Sequence, residues 1–151
     1  MVLQEVYGKS YERGMKMCKV KTPTEKSRWW VPEEDFRTAV HWARRYPSWI
    51  DELSVLPDSS KAIVYDKEKV QSSNSYDPTS DLAMRRAELT RKKDLLEDVV
   101  RLVAPEIYEY LLLGVTRGLA VHELISRGMP CSKDYYTDRR QRFYYILSRR
   151  I

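Results

Sequence analysis

The segment PCSKDYYTDRRQRFYYILSRRI, residues 130–151, concentrates side chains that hydrogen-bond to phosphates and to the edges of bases. Successive residues of an α-helix rotate by about 100°, so a helix over this segment has two distinct sides. One side is polar and contains Lys133, Thr137, Arg140, Gln141, Tyr144 and Ser148. The opposite side contains Tyr136, Phe143, Ile146 and Leu147, and we expect it to pack on the rest of the protein.

This pattern favours a helix that contacts DNA. Arginine pairs with guanine and glutamine with adenine in the major groove. A short helix, LAVHELISRG, and a tight turn precede the segment, which is the layout of a helix-turn-helix. The residues expected to face bases are Lys133, Thr137, Arg140 and Gln141. Those expected nearer the DNA backbone are Arg142, Tyr144 and Arg149. The alternative is a closing helix of a bundle, with a solvated basic side.

Positive charge is concentrated towards the two ends of the sequence. Residues 1–31 contain seven Lys and Arg against three Glu, and residues 117–151 contain eight against three Asp and Glu. The residues between them, 32–116, contain twelve against sixteen, which leaves the chain with a net charge of +5. A local excess of positive charge attracts phosphate, although a solvated basic surface has the same composition.

Few glycines and many charged helix formers favour a mainly α-helical bundle. The segments VPEEDFRTAVHWARRY and PSWIDELSVL predict two helices separated at Pro47. We expect the four tryptophans to pack where these helices cross; they are Trp29, Trp30, Trp42 and Trp49. Leucine or valine then recurs every seven residues from residue 82 to residue 103, which predicts one long helix ending before Pro105. So long a helix needs a partner along most of its length, from this chain or from a second copy in a homodimer.

The sequence predicts one compact unit built from four segments. Residues 1–31 are interpreted as a basic N-terminal arm or a small β element, and residues 32–56 as a helical hairpin. Residues 57–78, rich in Ser, Asp and Lys, predict a linker. Residues 79–151 are expected to form the long central helix and the C-terminal helix-turn-helix.

No pattern in the sequence predicts catalysis. His41 and His122 are far apart, no cluster has the spacing of metal ligands, and there is no Gly-rich phosphate loop or nucleophile motif. We therefore expect no enzymatic activity, no metal and no cofactor. Cys18 and Cys131 do not predict a disulfide framework, which favours the cytoplasm. No apolar run approaches the roughly 18 residues of a membrane span, and the first residues lack the order of a signal peptide.

Three segments carry a resemblance to a known family: RRYPSWIDEL (44–53), VQSSNSYDPTSDLAMRR (70–86) and MPCSKDYYTDRRQRFYYILSRR (129–150). Together they resemble RinA-type transcriptional regulators of phages and integrative elements of Gram-positive bacteria. They are also similar to the region of sigma factors that binds the −35 promoter element. The likeness covers residues 37–151. One departure is the turn before the last helix, which reads MPCSKD where the family has a Ser/Thr-rich turn.

The resemblance implies an α-helical protein that binds promoter DNA and acts through host RNA polymerase. Carried over by position, it implies DNA contacts from Lys133, Thr137, Arg140 and Gln141. Two alternatives remain at this point. One is an anti-defence or anti-CRISPR type of inhibitor that binds a host defence protein, such as a nuclease. The other is a helical module without a nucleic-acid partner, since a fold does not fix a function.

Overall fold

Helices account for most of the residues that the computed structural model describes, which are 17–58 and 78–151. In chain order they are α1 (Glu33–Arg44), α2 (Tyr46–Val55), α3 (Pro78–Val103), a 3-10 turn (Pro105–Ile107), α4 (Tyr108–Arg117), α5 (Val121–Ser126) and α6 (Lys133–Leu147). These two ranges contain no strand, and the mainly α-helical fold is confirmed. Residues 17–31 form turns and irregular backbone, while residues 1–16 and most of the predicted linker, 59–77, lie outside the described residues.

The hairpin of α1 and α2 follows from charge placement and a proline. Three acidic residues in the first turn of α1 face the positive end of the helix dipole. Only Arg45 separates the two helices, and Pro47 lies in the first turn of α2. A proline there loses no hydrogen bond, because the first backbone N–H groups of a helix have no partner within it. The prediction that α2 begins after Pro47 was therefore wrong, since Tyr46 is already helical.

The long helix α3 has the length that the sequence predicts, 26 residues. Leu89, Leu96 and Val103 of its seven-residue repeat are buried, whereas Leu82 is 43% exposed. Helix α2 lies along α3 in the opposite direction, since Tyr46 bonds to Glu97 and Glu52 pairs with Arg85. Helix α2 therefore covers one side of α3.

The C-terminal helices begin and end at the residues that favour such ends. Gly118 ends α4 with a φ of 66°, a left-handed conformation that glycine adopts without steric cost. The Ser132 hydroxyl accepts a hydrogen bond from the backbone N–H of Tyr135 at 3.2 Å and caps α6. Helix α6 then packs against α1, α3 and α4. It is therefore surrounded by helices on three sides.

The crossing of α4 and α6 depends on a glycine. The buried Tyr136 of α6 lies directly over Gly114 of α4, where a Cβ atom would collide with the tyrosine hydroxyl. That hydroxyl has no hydrogen-bond partner among the described residues. The close approach of these two helices is therefore possible only because residue 114 has no side chain.

We expect Gly114→Ala to lower the free energy of unfolding by about 1–3 kcal/mol, because the buried ring of Tyr136 has little room to move. Tyr136→Phe alone should change stability little, since it removes a hydroxyl that lacks a partner among the described residues. Combining the two substitutions should recover part of the loss, because the atom that collides is gone. Urea denaturation of the four proteins measures this coupling. Strictly additive effects would contradict the packing described here.

Candidate nucleic-acid interface

The buried side of α6 is wider than the sequence predicts. Tyr136, Phe143, Tyr144 and Leu147 are all at most 1% exposed. The ring of Tyr144 contacts the rings of Phe36 and Phe143 edge-on, with centroids 5.1 and 5.2 Å away. Tyr144 is therefore a core residue, and its predicted place on the exposed side beside DNA was wrong. Tyrosine is classed as a polar residue when the sides of a helix are assigned from sequence, but most of its surface is an apolar ring.

Three of the four residues predicted to face bases are partly covered. The Gln141 side-chain oxygen accepts a hydrogen bond from the Ser27 hydroxyl at 3.3 Å. The Arg140 guanidinium lies over the Tyr136 ring, 5.6 Å from its centroid, and its Nε atom is buried. The Thr137 hydroxyl donates to the backbone carbonyl of Lys133 at 2.9 Å. Lys133 itself is exposed in the first turn of α6.

Residues 17–31 are the reason that this side is covered. The backbone N–H of Cys18 donates to the carbonyl of Gly118 at 2.9 Å, which holds the segment against the end of α4. Arg44 of α1 donates to the Cys18 carbonyl at 2.8 Å. Further along, the Trp29 indole N–H donates to Asp138 of α6 at 2.9 Å. The segment thus lies across α6 and α4, where the sequence predicted a free arm or a β element.

A second side of α6, about 120° around the helix from the predicted one, also reaches solvent. It is the side that contains Asp138, Arg142, Tyr145 and Arg149. Arg142 and Arg149 had been predicted nearer the DNA backbone, and both reach solvent. Asp138 and Tyr145 had no predicted role.

A compact group of arginines and aromatic rings lies on this side. Arg28 and Arg142 both lie over the Trp29 ring, at 4.8 and 5.5 Å from its centroid. The Trp29 and Tyr145 rings are 5.5 Å apart, and Arg149 lies 4.1 Å from the centroid of Tyr145. We call these five residues, Arg28, Trp29, Arg142, Tyr145 and Arg149, the arginine–aromatic surface. It joins two segments more than a hundred residues apart in the sequence.

The charges of this surface are largely free to bind an anion. Neither Arg28, Arg142 nor Arg149 forms an ion pair with another described residue, and the neighbouring carboxylate of Asp138 is bonded to Trp29. Each guanidinium is instead held over a ring, which limits its rotation and leaves its N–H groups available. Such groups bind phosphate or carboxylate in a fixed geometry.

The N-terminal end of α6 carries charges of both signs, since Lys133 is exposed there. Asp134 lies in the first turn, and the Tyr135 hydroxyl bonds to Glu106. This hydrogen bond lowers the pKa of the Glu106 carboxyl, so the group remains charged to a lower pH than usual. No carboxylate follows Asp138 in α6, so an anion is attracted to the C-terminal half of the helix.

Sequence reasoning missed Arg28, Trp29 and Tyr145. The only signal was the basic and aromatic composition of SRWW, residues 27–30, because nothing in the chain order links it to α6. Of the four tryptophans, Trp42 and Trp49 do pack together where α1 and α2 meet, with centroids 4.7 Å apart. Trp29 packs on α6 instead, and Trp30 is 43% exposed.

The chain matches no protein-family model, no curated protein and no solved structure. Among residues 17–58 and 78–151, no three His, Cys, Asp or Glu side chains are grouped in a way that could hold a metal ion. None of the helices described here has the length and apolar character needed to cross a bilayer.

Tyr144 gives the bundle a specific sensitivity to alkaline pH. Burial raises the pKa of Tyr144 to about 12, from an ordinary value of 10.0. Because the fold favours the neutral phenol, the stability linked to this group is complete below about pH 10 and is lost as the pH rises towards 12. We expect Tyr144→Phe to reduce the alkaline loss of stability by up to about 1.4 kcal/mol per pH unit in that window. Urea denaturation at neutral and alkaline pH tests this, and an identical loss in both proteins would contradict it.

Proposed function

We propose that this protein binds double-stranded DNA through the arginine–aromatic surface and regulates transcription of a phage or mobile element. The observation that carries the proposal is the convergence of three solvent-accessible arginines on the rings of Trp29 and Tyr145. The resemblance to RinA-type regulators, stated above, favours transcription as the process. The charge distribution favours a phosphate backbone as the ligand.

Phosphate contacts would supply most of the affinity. Each arginine that neutralises a phosphate releases a condensed counterion, which makes binding to DNA strongly dependent on salt. Arg142 lies on α6 and Arg149 lies two residues beyond its end, while Arg28 approaches the same ring as Arg142. This arrangement fits contacts to neighbouring phosphates of one strand better than contact with a single anion.

Base recognition would involve the N-terminal end of α6. Lys133 and Thr137 lie at the N-terminal end of α6, and Lys133 is about 24 Å along the axis from Arg149. Helix α5, the turn and α6 follow one another in the order of a helix-turn-helix. In that layout, Lys133 and Thr137 would approach the major groove. Gln141 could read bases only if residues 17–31 moved, because Ser27 bonds to Gln141.

Arginine substitutions test the proposal directly. We expect Arg142→Ala and Arg149→Ala each to weaken binding to a random-sequence duplex, to a similar extent on every sequence. Each should also reduce the slope of log affinity against log salt concentration by about 1, the contribution of one phosphate contact. Fluorescence anisotropy with a labelled duplex over a salt series gives both quantities. Lys133→Ala should instead alter the preference among sequences.

Arg101→Ala is the matched control. Arg101 lies over the ring of Tyr108, 5.4 Å from its centroid, but it belongs to α3 and is paired with Asp98. Its replacement should leave the salt slope unchanged. The proposal is wrong if the folded wild-type protein shows no salt-dependent duplex binding, an outcome that would favour the inhibitor of a host protein. It is equally wrong if single-stranded RNA binds more tightly than the duplex.

A further inference from the structure

Helix α3 has a second side that the described part of the chain does not cover. Its buried residues, among them Leu89, Leu96 and Val100, face α2, α4 and α6. The opposite side contains Met84, Ala87, Arg91, Asp94, Leu95, Asp98 and Leu102, which fall within an arc of about 100°. Met84 is 68% and Leu102 is 53% exposed. We call these seven residues the outer face of α3.

The outer face combines apolar side chains with charges in an ordered way. Arg91 forms no ion pair with another described residue. Asp94 and Asp98 are 54% and 65% exposed. Among the described residues, Asp94 pairs only with Lys93 and Asp98 only with Arg101, both on the same helix. A shallow groove runs along the helix beside Ala87 and Leu95. The small side chain of Ala87 leaves room for another helix to approach closely. The face thus offers apolar contact, a cation and two accessible carboxylates.

We propose that the outer face of α3 binds the same face of a second copy of this chain, with the two helices antiparallel. A two-fold axis between residues 94 and 95 would place Arg91 of each copy opposite Asp98 of the other. The same axis would place Ala87 opposite Leu102 and bring the two Leu95 side chains together at the centre. The match of Arg91 with Asp98 and of Ala87 with Leu102 follows from the order of residues along one helix, as an interface between identical surfaces requires. The two exposed Asp94 side chains would also lie beside the axis.

The size of the face sets the expected strength of the dimer. From Met84 to Leu102 it extends about 27 Å along the helix axis. One helix pair of this length lies near or below the roughly 1,200 Å² lower limit of stable protein interfaces. We therefore expect a dissociation constant in the micromolar range. The inference does not rest on DNA binding, because its surface lies on α3 and its test contains no DNA.

Charge substitutions test the pairing of Arg91 with Asp98. In sedimentation velocity over a range of micromolar concentrations, the full chain should change from monomer to dimer. Arg91→Glu alone would place two carboxylates together at both ends of the interface, and Asp98→Arg alone would place two arginines together. Each should raise the dissociation constant about tenfold or more, because like charges across an interface repel. Both variants should keep the helical circular dichroism of the wild type.

The antiparallel arrangement also predicts a specific rescue. In an equimolar mixture of the two single variants, each heterodimer would contain one native Arg91–Asp98 pair and one pair in which both charges are reversed, so association should return. The double variant Arg91→Glu/Asp98→Arg should associate as well, because both of its pairs are reversed but complementary. A parallel arrangement would instead place Arg91 beside Arg91 and Asp98 beside Asp98. Neither single substitution would then weaken association relative to the wild type.

Matched charge reversals on other helices serve as controls. Glu109→Arg on α4 and Arg127→Glu after α5 alter exposed charges that belong to neither α3 nor its outer face, and both should dimerise like the wild type. A wild-type chain that remains monomeric at every concentration would overturn the proposal. So would single variants that dimerise normally, or a mixture of the two that stays monomeric.

Discussion

The edge-on packing of Tyr144 against Phe36 and Phe143 sets the rotation of α6 within the bundle. With Tyr144 in the core, the buried side of α6 consists of Tyr136, Phe143, Leu147 and Tyr144 itself, which would otherwise face solvent. The absence of a side chain at Gly114 allows Tyr136 to fit between α4 and α6. Because α6 packs on three helices, its rotation cannot change without repacking most of the core.

The rotation of α6 about its own axis decides which charged side chains lie on the protein surface. It turns Arg142 and Arg149 outward beside Trp29, and it places Gln141 under Ser27. Residues 17–31 contribute to the surface and also cover part of α6, so one segment both builds the arginine–aromatic surface and restricts access to Gln141. Aromatic rings hold the arginines without neutralising them, which a salt bridge to a carboxylate would do. A surface of this kind has a fixed shape and keeps its positive charge.

Helix α3 links this surface to the outer face on the other side of the molecule. Its buried side supports α6, and its exposed side contains the apolar and charged residues that we propose contact a second copy. The ion pair of Arg101 with Asp98 on α3 is exposed and contributes little stability. The packing of Leu89, Leu96 and Val103 therefore anchors this helix, while its outer charges are available for recognition.

The sequence by itself determined the helical fold class and the single long helix that ends before Pro105, because propensity and seven-residue periodicity act over a few neighbouring residues. It could not determine that Tyr144 is buried, since a tyrosine suits either side of a helix. Nor could it determine that Arg28 and Trp29 lie beside Arg142, since no local rule relates segments so distant in the chain. Those two facts were decided by tertiary packing, in which the rings of α1 and α6 and of residues 17–31 fill the space between the helices. The arginines reach solvent where that packing ends.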